Sequence, residues 1–598
     1  MTFTPPPADL TRPDLAGTFG MSASTHWLAT AAAQSVLERG GNAFDAAVAG
    51  AFALHVVEPH LNGPGGDMTA VFATADDPTP TVLVGQGPAP AGATVEHYRA
   101  EGLELVPGAG ALAAAVPGAV DAWLLLLRDH GTWRLADVLR YAIDLARDGH
   151  PIAPRVAATI GQVERLFRDH WPSSSERWLP EGRVPVAGEV VKNERYAAVL
   201  ERLVAAGDGL DDRVAAIDAA REEWAGGFVA EAIERFVRDP HRHASGTDHA
   251  GVITAEDMRA FRATYEAAAT ITFRGHVIAK TGAWGQGPAL LESLAILDGF
   301  DDDHLDPSTE LGAHTITEAQ KLSLADREAY FGDHAVPLDA LLDPAYIAAR
   351  RALIADAASH AFRPGHVGDG PAALPPLRTS YAPPSAEPAV GVGEPTVNRD
   401  GVTRGDTCHI DVVDRWGNMI AATPSGGWLQ SSPTIPELGF CLGTRLQMTW
   451  LEPGTASTLT PGKRPRTTLT PTLVLRDGVP VSALGSPGGD QQDQWQLLYL
   501  LRTIVGGYSP QEAIDAPALH TTSFPGSFWP RTWEPGGLVV EDRLGDAVIA
   551  ALEARGHVIT RAGGWTLGRL SAVTRDPATG VVGAAANSRG AQGYAAGR

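Results

Sequence analysis

The sequence predicts an α+β protein in which antiparallel sheets are covered by helices. Three observations carry this. Apolar residues recur at helix spacing over much of the region up to about residue 350. Paired strand runs separated by turn residues dominate after residue 407. Helical runs then recur between those pairs.

Residues 1–25 are rich in Pro, Thr and Gly and read as an N-terminal arm. From His26 onward, Leu28, Ala32, Val36 and Leu37 fall at helix spacing, and Gly40-Gly41-Asn42 ends the run. A second helix is expected over 43–57. It is apolar on nearly every face, which predicts burial. The glycine-rich turn Asn62-Gly-Pro-Gly-Gly-Asp67 leads into a strand over 68–73. Amphipathic helices are expected over 119–129 and 135–147, and further helices over 289–297 and 315–330. Residues 361–405 hold Pro364, Pro371, Pro375, Pro376, Pro383, Pro384, Pro388 and Pro395, with many glycines and few large apolar residues. Such a stretch cannot bury enough surface to fold alone, and reads as an exposed, mobile linker. Hairpins are expected at 409–423 around Asp414-Arg-Trp-Gly417-Asn418, at 472–484 around Arg476-Asp477-Gly478, and at 571–585 around 576–580. Helices over 494–505 and 544–555 lie between them.

Composition narrows the function classes. Of 598 residues, 47 are Lys or Arg and 70 are Asp or Glu, giving a formal charge of -23. That field repels phosphate backbones and anionic lipid, so no nucleic-acid or membrane partner is expected. Two cysteines give neither a disulfide framework nor a metal-ligand pattern. No apolar run reaches the ~20 residues that span a bilayer. The start lacks a basic and then apolar leader, so a cytoplasmic location is expected.

The segment Arg404-Gly405-Asp406-Thr407-Cys408-His409-Ile410 places a hydroxyl residue at the start of a strand, directly after the linker. A hydroxyl is a weak nucleophile at neutral pH and needs a base. Cutting the chain before Thr407 would free its own α-amine. With a pKa near ~8, that amine is partly neutral and able to take the hydroxyl proton. Position alone does not separate this from a structural threonine. Downstream, Leu484-Gly485-Ser486-Pro487-Gly488-Gly489-Asp490 follows a strand. Consecutive glycines let backbone N–H groups face a ligand, as an oxyanion hole requires, although a plain turn has the same residues.

The blocks Gly40-Gly-Asn-Ala-Phe-Asp-Ala-Ala47, Val57-Glu-Pro-His-Leu-Asn-Gly-Pro-Gly-Gly-Asp67, Val116-Pro-Gly-Ala119, Ile253-Thr-Ala-Glu-Asp257, Glu318-Ala-Gln-Lys-Leu-Ser-Leu-Ala-Asp-Arg327, Lys463-Arg-Pro465 and Gly485-Ser-Pro-Gly-Gly489 occur in this order. Together they resemble the γ-glutamyltransferase family of N-terminal-nucleophile hydrolases, from about His26 to Arg598. The resemblance implies a four-layer αββα sandwich made as one precursor that cuts itself between Asp406 and Thr407. A large chain 26–406, after the arm, and a small chain 407–598 would remain associated, and dimers of such units are compatible with it. Thr407 is implied as nucleophile and its amine as base. Thr423 and Ser425 are implied to support it, and Gly488 and Gly489 to form the oxyanion hole. Thr467 and Thr468 fall where the family carries two serines that hold the substrate carboxylate. Neither cofactor nor metal is implied; the partner is a small-molecule acyl substrate.

The sequence departs from the family at both charged anchors. Val95 stands where an arginine holds the carboxylate, and Met448 where an aspartate holds the amine. Gly427 replaces the usual asparagine. A charge-assisted contact in a buried pocket is worth roughly 2–5 kcal/mol, so losing both removes about a thousandfold in selectivity. Arg445 is either a carboxylate anchor from a new direction or an ordinary surface arginine. Trp428 and Trp450 either line the pocket or pack in the core. A short 450–463 segment, where relatives carry a longer lid, favours hydrolysis over transfer. Cys408 and Cys441 read as buried hydrophobes and His409 as a local hydrogen-bonder. His314 and Glu318 lack a third ligand at metal spacing, and Asp301-Asp302-Asp303 reads as a solvated loop.

The expected function is acyl hydrolysis through an acyl-Thr407 intermediate, on a substrate other than a standard γ-glutamyl peptide. Three alternatives stay open. They are true γ-glutamyl hydrolysis or transfer, cleavage of an oxamate-like or cephalosporin side-chain amide, and hydrolysis of an activated C–C bond in antibiotic biosynthesis. A non-catalytic binding protein of the same fold is the contrasting hypothesis.

Overall fold

The computed structural model describes residues 3–368, 372–381, 396–397, 403–404, 407–591 and 593–598. Two seven-stranded sheets form its centre. The first runs, in spatial order, Tyr594–Gly597, Gly20–Ser24, Ile410–Asp414, Met419–Ser425, Asp67–Ala73, Thr81–Gly85 and Thr264–Ala267. The second runs Leu15–Gly17, Val582–Ala586, Ser571–Arg575, Val479–Gly485, Thr472–Arg476, His276–Lys280 and Ala269–Phe273. Neighbouring strands are antiparallel throughout both sheets.

Side chains alternate across each strand, and this sorts the core into layers. Ile410, Val412, Ile420, Ala422, Ala70 and Phe72 pack outward against helices Trp27–Glu38, Ala43–Val57 and Ala119–His130. Val413, Met419, Ala421, Val71, Leu473, Ala483 and Val573 pack between the sheets. Ile278, Val474, Leu484 and Ala572 pack outward on the far side, against helices Gly287–Leu297, Glu310–Tyr330 and Gln492–Leu500. The result is the expected αββα sandwich.

The helix Ala43–Val57 is buried along its whole length, as its composition predicts. Asn42 caps it: its side chain accepts from the backbone N–H of Phe44 and Asp45, and the Asp45 carboxylate accepts from the N–H of Asn42. At the predicted hairpin, one Asp414 carboxylate oxygen accepts from the backbone N–H of Trp416, Gly417 and Asn418, each at 3.0 Å.

The N-terminal arm requires correction. Leu15–Gly17 joins the second sheet, and Gly20–Ser24 lies inside the first, fully buried between Tyr594–Gly597 and Ile410–Asp414. Much of the expected linker, and Asp406 with it, lies outside the described residues. Within the linker's described part, Tyr381 meets Trp529 edge to face, and the Arg378 carbonyl accepts from the Trp533 backbone N–H. Among the described residues, no helix is long and apolar enough to cross a membrane.

Candidate active site

Thr407 continues the line of the Ile410–Asp414 strand: the next residue, Cys408, donates its N–H to the Pro424 carbonyl at 3.0 Å. Thr407 is therefore beside Ser425, and the two side-chain oxygens are 3.2 Å apart. Both residues are buried. One row deeper on the same face, His409 Nδ1 lies 2.9 Å from Thr423 Oγ1. His409 Nε2 lies 2.7 Å from Asp411 Oδ1, and Ser571 of the opposite sheet donates to Asp411 Oδ2 at 2.7 Å. Burial pushes the Asp411 carboxyl above its ordinary range, against the opposing pull of His409 and Ser571. With Asp411 as acceptor, Nε2 carries the imidazole proton and Nδ1 accepts from Thr423. His409 thus bonds locally, as expected. Asp411 is a residue that sequence reasoning passed over. The available signal was the two-residue spacing of 407, 409 and 411, which puts all three on one face.

The second sheet meets this row through Val479–Gly485, which packs against both central strands of the first. Gly488 and Gly489 follow, at φ 126° and 55°, a backbone region that glycine alone adopts readily. The side of Trp495 occupies the space where a Gly488 side chain would start. Asp490 ties the turn down, taking hydrogen bonds from Arg327 at 2.5 Å and from Ser527 Oγ at 2.6 Å.

The residues expected on the substrate side, Thr467, Thr468, Arg445, Met448 and Trp428, are all buried, and Val95 is half-buried. Thr467 Oγ1 accepts from the Leu469 N–H at 3.2 Å. Thr468 Oγ1 has no hydrogen-bond partner among the described residues. Met448 packs with Trp428 and Phe528 in a small apolar cluster, and Trp428 Nε1 donates to the Leu61 carbonyl. Trp450 is buried beneath the Arg531 guanidinium, 3.6 Å from its ring centre. Val95 opens a short helix and packs on the cluster containing Leu446, so no cation stands there.

Arg445 is not a surface residue. It is 5 % exposed and grips Asp67 with two nitrogens, Nε to Oδ2 at 2.8 Å and Nη2 to Oδ1 at 2.7 Å. Asp67 in turn pairs directly across the ladder from Ser425. Burial pushes the Asp67 carboxyl up, and the guanidinium only partly offsets that.

Cys408 is buried but not inert: its thiol donates to Glu58 at 3.1 Å and accepts from Asn62 at 3.0 Å. Burial pushes the Cys441 thiol up to about 12. The third ligand missing beside His314 and Glu318 is present in space. His557 Nε2 is 2.9 Å from His314 Nδ1, and the three residues form a cluster of metal-ligand size. Glu318 is already matched by Lys321 at 2.7 Å and Arg363 at 2.8 Å, and burial followed by Lys321 drives His557 down to about 2. Two neutral imidazoles and a doubly paired carboxylate make a structural network, because a cation there would face two others.

Comparison with known proteins shows which family the chain belongs to. The family described as Gamma-glutamyltranspeptidase matches residues 29–597. A solved structure described as LmbA2991HD is 53% identical, with a TM-score of 0.92 over 99% of this chain and 100% of that one. The cephalosporin acylase from Bacillus halodurans is 28% identical, with a TM-score of 0.81 over 100% and 99%. The oxamate amidohydrolase proenzyme of Klebsiella pneumoniae is 30% identical over 580 residues, 94% of this chain and 95% of its own. The chain belongs to the gamma-glutamyltranspeptidase family.

Proposed function

We propose that this protein is a self-processing amide hydrolase in which Thr407 is the nucleophile, with a substrate other than a standard γ-glutamyl peptide. The contact between Thr407 Oγ1 and Ser425 Oγ, on the lines of two neighbouring strands of the first sheet, carries the reading. Family membership supports it, as do the names of relatives that act on cephalosporin and oxamate amides.

In the precursor, the Thr407 hydroxyl attacks the carbonyl of residue 406. The peptide C–N bond breaks as the ester forms, and water hydrolyses that ester to leave two chains. Interleaved strands keep the chains together: Ile410–Asp414 sits beside Gly20–Ser24, and Met419–Ser425 beside Asp67–Ala73. In the mature enzyme, the α-amine of Thr407 takes the hydroxyl proton as oxygen attacks the substrate carbonyl. It then returns that proton to the leaving amine. The N–H groups of Gly488 and Gly489 receive the developing oxyanion, and Ser425 holds the nucleophile, while Thr423 bonds to His409 one row deeper. Water completes the turnover, and the short 450–463 segment favours water over an amine acceptor.

The test is covalent trapping. Processed enzyme is mixed with a panel of acyl p-nitroanilides, quenched in acid, digested and mapped by mass. The acyl group is expected on the N-terminal peptide that begins at Thr407. Acylation at another residue, with release of p-nitroaniline intact, contradicts the assignment.

A further inference from the structure

Val95 and Met448 stand where the family resemblance places its charged anchors, yet a buried charged pair, Arg445 with Asp67, lies beside Met448. Asp67 lies one strand away from Ser425, directly across the ladder, and Ser425 touches the nucleophile. Strand alternation turns Asp67 to the same inner face, since Val71 and Ala73 of its strand also pack between the sheets. Asp67 fixes Arg445 through two parallel hydrogen bonds, which sets the plane of the guanidinium. The third nitrogen, Nη1, faces the Met448 sulfur at 3.7 Å, a weak acceptor for a strong, buried donor.

The chemistry is one-sided. Both Asp67 oxygens already accept from Arg445, whereas the guanidinium has N–H groups to spare. Met448 packs with Trp428 and Phe528, which offer no carboxylate to an ammonium group, and Arg531 donates to the Met448 carbonyl at 3.0 Å. The charged groups beside Met448 among these contacts, Arg445 and Arg531, are donors suited to an anion, and the carboxylate of Asp67 is already taken by Arg445.

Resting on the assignment of Thr407 as nucleophile, we propose that Arg445, clamped by Asp67, is the specificity-determining residue of the acyl pocket. It selects an acyl group that carries a carboxylate and no α-amine, as in the half-amide of a dicarboxylic acid. The carboxylate takes the Nη1 edge, and the guanidinium lies between it and Asp67, which keeps the two anions apart.

The experiment compares oxalyl, succinyl and glutaryl p-nitroanilides with uncharged propionyl and butyryl ones, and with γ-glutamyl p-nitroanilide. Each enzyme is first checked for self-cleavage by intact mass. In wild type, at least one carboxylate-bearing anilide should exceed its uncharged counterpart tenfold or more in kcat/KM, and γ-glutamyl should not exceed glutaryl. The neutral pair Asp67→Asn with Arg445→Gln, which keeps shape and removes both charges, should bring that ratio to near one. The loss should appear in KM more than in kcat, with Arg445→Lys in between. If no anilide turns over, the melting shift of processed enzyme decides: glutaramate should raise it and butyramide should not. A wild-type enzyme that processes itself but shows a ratio near one overturns the proposal. So does a ratio unchanged in the double variant, a preference for γ-glutamyl, or equal melting shifts. A wild type that does not process itself removes the nucleophile assignment, and this inference with it.

Discussion

Gly485 has no side chain where the His409 imidazole lies: a β-carbon on Gly485 would stand 2.2 Å from His409 Cε1. The first glycine of the Gly485–Gly489 turn thus makes room for the ring that holds Thr423 and Asp411, and the two sheets meet at this point. Gly485→Ala must either displace His409 or part the sheets. Overpacking a tight interior costs about 1–3 kcal/mol. The expected result is a lower melting temperature together with slower self-cleavage. Unchanged values for both would mean that the imidazole is not confined.

Asp411 offers a test by pH. Its carboxyl is raised above the ordinary range, chiefly by burial, so the folded protein holds this proton more tightly than the unfolded chain does. Its contribution to stability is then fullest below the ordinary aspartate value of about 4, and is lost as pH rises toward the folded value. Asp411→Asn removes that loss. A melting series from about pH 4 to pH 7 should show the variant gaining on wild type as pH rises. A variant that falls further behind as pH rises would mean that the His409–Asp411 pair is ionised and stabilising.

Lys280 and Asp493 join the parts of the chain on either side of Thr407. The Lys280 ammonium is fully buried, 2.9 Å from Asp493 and 2.8 Å from the Thr470 carbonyl. Removing one partner of such a pair costs roughly 3–5 kcal/mol, because the other charge stays buried. Lys280→Met should therefore unfold at much lower urea. Adding Asp493→Leu should recover most of the loss, because an apolar pair of similar size is often as stable. Failure of the second change to help would mean that Asp493 is held by other partners.

The two threonines 467 and 468 should separate cleanly. Thr467 Oγ1 accepts a hydrogen bond, and Thr468 Oγ1 has none among the described residues. Thr467→Val should cost about 0.5–1.5 kcal/mol in chemical denaturation. Thr468→Val should cost nothing or stabilise, while raising KM for the preferred acyl anilide. A stability loss in Thr468→Val equal to that of Thr467→Val would argue that its hydroxyl is engaged within the protein and not kept for substrate.

Much of this was legible in the sequence, and the failures have physical causes. The buried helix Ala43–Val57 and the hairpin at Asp414–Asn418 declare themselves through local pattern, apolar residues all round in one case and a turn of Asp, Gly and Asn in the other. Gly20–Ser24 does not, because Gly-Met-Ser-Ala-Ser has no β-branched or aromatic residue, and its place is fixed by strands at the other end of the chain. Asp411 reads as one polar position in an alternating strand until Ser571 and His409 are placed around it. Arg445 and Asp67 are separated by 378 positions, and His314 and His557 by 243, so no spacing rule links either pair. Contacts between such distant residues are not legible in sequence, whereas the expectation for Thr407 rests on a local segment, 404–410.

The central claim is that Thr407 makes its own amino terminus. Denaturing intact-mass spectrometry of freshly purified wild type and Thr407→Ala, followed over time, tests it most directly. The account predicts two species from wild type, with the masses of residues 1–406 and 407–598, and one uncut chain of 598 residues from the variant. A wild-type chain that stays whole on prolonged incubation would contradict it, as would a variant that is cut at the same place.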